Sequence, residues 1–566
     1  MRVSRADLAA SAFFILLASP AFAQLGPPIP LVPPAPGSEA APAAPAPAEP
    51  APGDNFNATP LAPVDTAWVG ILGAADGALP RTMWQGTPRA KVEAALRLLQ
   101  PTTSPELQDL ARRLLLSDAV APAGPDAPGE SLAALRLDRV LALGRTDGAG
   151  LINALPQAQI SEALDRDSLE LRFASNDLDG ACALAQDRAA HYANPWWDRA
   201  LIACQALKGN FDQAGLGLSA MRDRKTLDDP VFEALIETID GHRRKIERLP
   251  DPTPMRMALL AAAKVPLPAD TLDQAGPAAL AVWATSDKVP PVQRLAAGEE
   301  AEALGALPPG GLGLLYGAVE ASPAEKKVVL DSDKLPDEPR ARAILYDIAR
   351  ANATPSARVA ALGPLLEDAG RRDVFVNVAR LVAPLVIELQ PDPDLEDFAG
   401  TAARVLLASG HADLAAPWID LAKEPELRVL AALAGAPPGD GGVPLKEAAA
   451  ALTEQDAASA PDQIDLLVAL FAALGQPAGD IDPAPLFKAS YASPMPGAAL
   501  WLDQQQASTG GRLGETVLTS LLLASADDKL TSAPIVLARV VSGLKAVGLE
   551  ADARALAVEA ALNAGI

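Results

Sequence analysis

The sequence predicts an all-α fold: an α-solenoid of stacked helical hairpins behind a disordered Pro/Ala-rich N-terminal leader. Apolar residues recur at helical spacing through most of the chain. Hydrophobic residues make up 49% of the chain but aromatic ones only 4%, so alanine and leucine must fill the core. Both residues favour helix over sheet. A short motif also returns after about 33 residues, a period typical of stacked helix pairs.

The repeated motif lies in a central segment, residues 176–221. Residues 177–181, Asp-Leu-Asp-Gly-Ala, return as Asn-Phe-Asp-Gln-Ala at 210–214. Each copy opens a helix with one apolar face, and a further helix lies between the two copies. Asn194-Pro195 separates the first two helices, because proline lacks an N–H and restricts the residue before it. The segment therefore predicts three consecutive antiparallel helices.

Cys182 and Cys204, the only two cysteines, lie on the inward faces of this predicted hairpin. Both are equally far from a turn near Ala193, about 16 Å along each helix at the usual rise per residue. We predict a disulfide between them. The alternative is a pair of buried free thiols, since free cysteine packs as a small hydrophobic residue.

The N-terminus has the pattern of an export signal. Residues 1–23 combine a basic start, an apolar run too short to span a bilayer and a small-residue cleavage site. Residues 24–63 are a Pro/Ala-rich linker without apolar periodicity, serving either as a tether or as an inert leader. We expect a periplasmic or secreted protein with no stable membrane insertion after signal removal.

The folded body is predicted to contain an N-terminal helical-repeat region (64–250), a middle helical array (251–434) and a C-terminal array (445–566). The first region is expected to end in a helix over 229–247, whose basic end 242–245 is either a solvated cap or a docking patch for an acidic partner. Six or seven helices are expected in the C-terminal array. In the middle array, helices are predicted at 255–264, 276–286, 291–304, 311–321, 338–351, 355–368, 371–389, 394–409, 411–423 and 424–434.

The motif resembles the turn into the second helix of the tetratricopeptide superfamily. Gly209 to Ala214 carries the resemblance, and echoes of it occur at 410–415 and 548–553. The layout of signal, Ala/Pro leader, Leu79–Thr87 loop and two-cysteine hairpin is also similar to an exported bacterial family labelled antifreeze glycopeptide polyprotein. The first resemblance implies stacking of degenerate helix pairs, and the second implies export.

The sequence offers no recognisable catalytic, cofactor-binding or metal site. Its three histidines are far apart and lie in no zinc-binding spacing. A net charge of −24 repels phosphate backbones, so nucleic acid is not expected as a partner. Trp84, Trp196 and Trp197 are candidate partner-binding residues, because tryptophan is enriched at interface hot spots. Their alternative role is packing in the core or anchoring a loop.

These observations predict a non-enzymatic periplasmic scaffold that mediates protein–protein interaction in the cell envelope by binding a protein or peptide. The alternative is an accessory, or an enzyme with unrecognised residues, in peptidoglycan metabolism. A third possibility is a purely structural spacer of the envelope.

Overall fold

A computed structural model describes residues 65–127, 131–155, 160–332, 335–437, 443–477, 495–524 and 533–566. Within these ranges the chain is helical, and its only β-type pairings are two isolated bridges, Leu72 with Ser117 and Pro88 with Ala123. The prediction of an all-α fold is confirmed. The predicted signal (1–23) and leader (24–63) lie outside the described residues.

The helices of the first part of the body are η1 (Ala74–Asp76), α1 (Arg89–Leu96), α2 (Pro105–Leu116), α3 (Leu132–Ala142), η2 (Thr146–Gly150), α4 (Leu151–Ala154), α5 (Glu162–Ala174), α6 (Leu178–Ala189), α7 (Pro195–Leu207), α8 (Phe211–Arg224) and α9 (Pro230–Ile239). Those of the middle part are α10 (Pro254–Ala263), α11 (Thr271–Gln274), α12 (Pro277–Thr285), α13 (Pro291–Ala303), α14 (Gly311–Gly317), α15 (Pro323–Leu330), α16 (Pro339–Ala351), α17 (Pro355–Arg371), α18 (Phe375–Ile387), η3 (Pro393–Leu395), α19 (Glu396–Ala408), α20 (Ala412–Ala422) and α21 (Pro425–Leu433). Those of the last part are α22 (Leu445–Gln455), α23 (Ala460–Ala473), α24 (Ala498–Thr509), α25 (Leu513–Ala524), α26 (Pro534–Ala546) and α27 (Glu550–Asn563).

Local sequence signals set the helix ends. Many helices have proline at the first position, where its missing N–H would have no partner in the helix anyway. The Ser104 hydroxyl caps α2 by accepting the N–H of Leu107 at 3.2 Å. Where the motif echoes occur, Gly209, Gly410 and Gly548 have φ near +80° and lie two residues beyond the end of a helix. Glycine adopts this left-handed conformation without strain, so each motif ends one helix and begins the next.

Most consecutive helices contact each other, among them the pairs α6–α7 and α7–α8 of the predicted hairpin. The Sγ atoms of Cys182 on α6 and Cys204 on α7 lie 2.23 Å apart and form a disulfide, with the two Cα atoms at 5.3 Å. The predicted pairing is therefore present, and the alternative of two free thiols does not hold.

The core side chains form two clusters that do not follow chain order. One cluster lies within residues 169–343, whereas the other joins residues 67–171 to residues 335–566. In this second cluster, α1 packs on α25, and α2 packs on α25 and α27. We call this contact between the two ends of the body the closure. The closure is a contact additional to the packing of helices that are neighbours in sequence, and the sequence does not predict it.

The helix predicted over 229–247 is shorter in the structure. It ends at Ile239, because Gly241, with φ of +100°, turns the chain away from the helical path. Residues 242–245 are exposed and follow the helix as irregular chain, so the expectation of a basic helix end is wrong. The proline-marked boundary near residue 250 also does not interrupt packing, since the Met255 N–H donates to the Glu170 carboxylate at 2.8 Å.

Candidate functional site: a cleft beside the closure

The closure is held by a buried carboxylate on α25. Glu515 is only 2% exposed and accepts hydrogen bonds from Thr87 (3.1 Å), Lys91 (2.6 Å) and Arg512 (2.8 Å). Burial raises the pKa of Glu515, but the hydrogen bonds from Arg512, Lys91 and Thr87 outweigh burial and leave that pKa below its ordinary value. The ionised carboxylate therefore links Thr87 and α1 to α25.

The Leu79–Thr87 loop is fastened at the same junction. The Gly514 N–H, in the first turn of α25, donates to the Met83 carbonyl at 2.8 Å, which gives a partner to a donor that the helix leaves unpaired. Trp84 is 2% exposed and packs edge-on against Trp68 with ring centroids 4.7 Å apart. Trp84 thus anchors the loop and offers no surface to a partner, which corrects its assignment as a partner-binding residue.

The other two candidate tryptophans lie at the start of α7. Trp197 is fully buried against Tyr192, so its assignment as a partner-binding residue is corrected in the same way. Trp196 is half-buried, and the Arg166 guanidinium lies 4.7 Å from its ring centroid. Of the three, only Trp196 stays a candidate for contact with a partner.

A cleft of about 1030 Å³ lies where α2, α18, α27 and the turn between α19 and α20 meet. We call it the closure cleft. Such a volume is at the upper end of the usual range for ligand pockets. The cleft lies next to two of the motif echoes, since residues 410–412 and Ala551 line it. Sequence reasoning identified those turns, but it did not bring them together.

Two helices line the closure cleft with matching stripes. Positions i, i+3, i+4, i+7 and i+8 of each helix share one face, and in both helices that face combines an arginine, small or aliphatic residues and a final glutamate. The stripe on α18 and just beyond its end consists of Arg380, Ala383, Pro384, Ile387 and Glu388. The stripe on α27 consists of Ala551, Arg554, Ala555, Val558 and Glu559. The result is a largely aliphatic cleft with charged groups at defined points.

Most charges of the closure cleft are paired. Arg380 forms an ion pair with Glu106, the second residue of α2. Arg554 pairs with Glu550 at 2.7 Å, and Glu388 pairs with Arg358 at 2.8 Å. Among the described residues, one acid of the cleft, on α27, is left without an ion pair.

That acid is Glu559, which is 1% exposed. Its Oε2 accepts the N–H of Glu106 at 3.1 Å, whereas its Oε1 has no hydrogen-bond partner among the described residues. Burial raises the pKa of Glu559 to about 7, and the neighbouring Glu106 carboxylate acts in the same direction. The Ser104 hydroxyl, the Glu106 N–H and the charge of Arg380 lower this pKa, but burial dominates. Glu559 therefore exchanges its proton near neutral pH.

Sequence reasoning missed Glu106, Arg380 and Glu559. The signal that could have found them is the pair of matching stripes, because in both cases the helix face combines one arginine, small or aliphatic residues and a final glutamate. Nothing local to either stripe indicates that α18 and α27 face one cleft together with α2.

Two further findings concern the described residues as a whole. No helix among them combines the length and the apolar character needed to cross a bilayer. They also contain no group of three or more His, Cys, Asp or Glu side chains arranged to hold a metal ion.

Comparison with models of known protein families, with curated proteins and with solved structures gives no match.

Proposed function

We propose that the chain is a non-enzymatic scaffold of the cell envelope that binds a peptide or protein segment in the closure cleft. The closure cleft is the observation that carries this proposal. It has the volume of a ligand site and two aliphatic helix faces, and its lining comes from the start, middle and end of the body. A segment held there would contact several helices at once.

The disulfide and the sequence of residues 1–23 support an extracytoplasmic location. Structural disulfides form in oxidising compartments, and a periplasmic or secreted chain meets that condition. The resemblance to tetratricopeptide repeats supports the same class of function, since helical-repeat arrays present surfaces for protein ligands. A role in peptidoglycan metabolism stays a sequence-based alternative, tested by the release of soluble fragments from purified peptidoglycan.

The test is a selection of peptides from a displayed random library on the purified protein, followed by affinity measurements on two variants. Ala555→Trp places an indole in the closure cleft, whereas Ala220→Trp places one on an exposed face of α8. We expect selected peptides to bind the native protein and Ala220→Trp saturably and equally. Ala555→Trp should weaken binding at least roughly tenfold, the loss expected when a ligand's main contacts are blocked.

Two results would refute the proposal: selection that yields no saturable binder, and binders that Ala555→Trp does not affect. Circular dichroism of both variants checks that each retains the helical fold, so that a loss of binding reports on the cleft.

A further inference from the structure

We propose that the closure cleft accepts a lysine side chain of the bound peptide, with its ammonium group on the free oxygen of Glu559. This inference rests on the proposed function and names the chemical class of the ligand. The free oxygen is the observation that carries it: Glu559 is 1% exposed, lines the cleft and leaves Oε1 without a hydrogen-bond partner among the described residues. A buried polar atom without a partner is costly, and an entering donor would remove that cost.

The charge of the cleft selects a cation as that donor. Arg380 forms an ion pair with Glu106, and Arg554 forms one with Glu550, so neither arginine forms an ion pair with Glu559, although the charge of Arg380 lowers the pKa of Glu559. The whole chain carries a net charge of −24, which favours the approach of basic segments. A positive ligand group would meet an acid that has no ion pair among the described residues, whereas a negative group would meet three glutamates and two arginines that are already paired.

The geometry selects lysine over arginine. An arginine guanidinium binds a carboxylate best through two parallel hydrogen bonds, one to each oxygen. The Oε2 atom of Glu559 already accepts the Glu106 N–H at 3.1 Å, so a guanidinium would have to share that oxygen to form both of its parallel hydrogen bonds. A lysine ammonium is a compact point charge that needs no fork of acceptors.

The aliphatic lining favours a lysine side chain over a free N-terminal amine. Glu559 is 1% exposed and its Oε1 has almost no accessible surface, so a cation reaches that oxygen only on a narrow stem and with a shift of the side chains that cover it. The four-carbon stem of lysine can lie along apolar surface while its head finds a charge, and Ala383, Leu407 and Val558 supply such surface. An N-terminal amine carries the peptide backbone with it, and the buried carboxylate leaves little room for backbone polar groups.

Binding should depend on pH through Glu559, because the ionised carboxylate attracts an ammonium more strongly than the neutral acid does. The pKa of Glu559 is about 7 before binding, so affinity should rise by up to roughly tenfold between pH 6 and pH 8. Burial raises the pKa of Glu106, the charge of Arg380 opposes this rise, and Asp109 and Asp552 add to it. The other titratable or charged groups that face Glu559 in the cleft are Glu106 of α2, Arg380 and Glu388 of the α18 stripe, His411 at the α19–α20 turn and Arg554 of α27.

The experiment compares four synthetic peptides by isothermal titration calorimetry at pH 6 and pH 8. The first is an N-acetylated alanine–leucine pentapeptide amide with a central lysine. The second and third carry norleucine or arginine in place of lysine. The fourth carries norleucine and a free N-terminus. We expect the lysine peptide to bind roughly tenfold more tightly than the norleucine peptide at pH 8, the size of a hydrogen bond to a charged group, with a smaller preference at pH 6.

Two variants assign the preference to the proposed contact. Glu559→Gln keeps the shape of the side chain but removes its charge, so it should abolish the preference for lysine and leave the norleucine peptide unaffected. Glu170→Gln is the matched control, because Glu170 is also buried with a pKa of about 7 but does not line the cleft. This variant should keep the full preference. Unchanged binding of the norleucine peptide also shows that Glu559→Gln is folded.

Each contrary outcome overturns the lysine inference in a recognisable way. Equal binding of the lysine and norleucine peptides refutes it but leaves peptide binding in the cleft intact. Tighter binding of the arginine peptide, or of the peptide with the free N-terminus, refutes the choice of lysine. If none of the four peptides binds, this inference fails, while the library selection decides the proposed function independently.

Discussion

Replacing Glu170 by glutamine should change how the stability of the protein depends on pH. Glu170 lies on α5, is 7% exposed and accepts the N–H of Met255 at 2.8 Å. Burial raises its pKa from 4.5 to about 7, although the hydrogen bonds from Met255 and Thr253 act in the opposite direction. At 1.36 kcal/mol for each pKa unit, this shift corresponds to about 3 kcal/mol.

The sign follows from which state holds the proton. Between pH 4.5 and 7 the unfolded chain has lost this proton while the folded chain keeps it, so the free energy of unfolding falls as pH rises through that window. The stabilisation is fully present below pH 4.5 and is lost above about pH 7. Glutamine does not titrate. The stability of the Glu170→Gln variant relative to the native protein should therefore rise by about 2.5 kcal/mol from pH 5 to pH 8.

Urea unfolding followed by circular dichroism, at pH 5 and pH 8, measures this difference between the two proteins. Glu325→Gln is the control, because Glu325 is a surface carboxylate whose pKa the Ser322 N–H and Arg340 lower to about 2. Both of its titrations lie below pH 5, so its effect should be the same at the two pH values. A Glu170→Gln effect that does not change between pH 5 and pH 8 would refute the assignment of Glu170 as a buried neutral acid.

The disulfide and the closure give further predictions. Replacing both Cys182 and Cys204 by alanine should lower the free energy of unfolding by about 3 kcal/mol, given their sequence separation of 22, and a reductant should then affect only the native protein in urea titrations. Gly514→Ala should cost about 1–3 kcal/mol in the same assay, since its Cβ would lie 2.8 Å from the Trp84 ring, whereas Gly363→Ala, with no atom within 4 Å of its Cβ, should be neutral or slightly stabilising. Equal effects of the two glycine variants would contradict tight packing at the closure.

Helix bounds were predictable because their signals are local. The predicted segment 291–304 corresponds to α13 (Pro291–Ala303), and 411–423 corresponds to α20 (Ala412–Ala422). A proline at the first position or a glycine beyond the last one marks such ends whatever packs around them. The prediction failed where a local signal was outweighed by a longer pattern: apolar spacing through Ile239 suggested a longer helix, although Gly241 ends it.

The closure was not predictable, because it joins residues more than 400 positions apart. Thr87 and Glu515 contact each other, yet neither segment carries a period or a motif that indicates the other. The burial of Trp84 was not predictable for the same reason. A tryptophan in a loop rich in turn-forming residues suggests exposure. In the structure Trp84 packs against Trp68, and Gly514 of α25 lies against its ring.

The closure also explains why the candidate site lies where it does. Helices stacked on their sequence neighbours bury one face each, and a carboxylate deep between them would be expensive without compensation. At the junction of α2 and α27, the first-turn N–H of Glu106 supplies one hydrogen bond to Glu559, because the beginning of a helix has donors that its own backbone cannot satisfy. Glu559, near the end of the body, thus has one oxygen that accepts a hydrogen bond from the beginning of the body and one that accepts none among the described residues. The remaining oxygen is what a ligand can use, so the contact that holds the two ends together is also the one that prepares the cleft for binding.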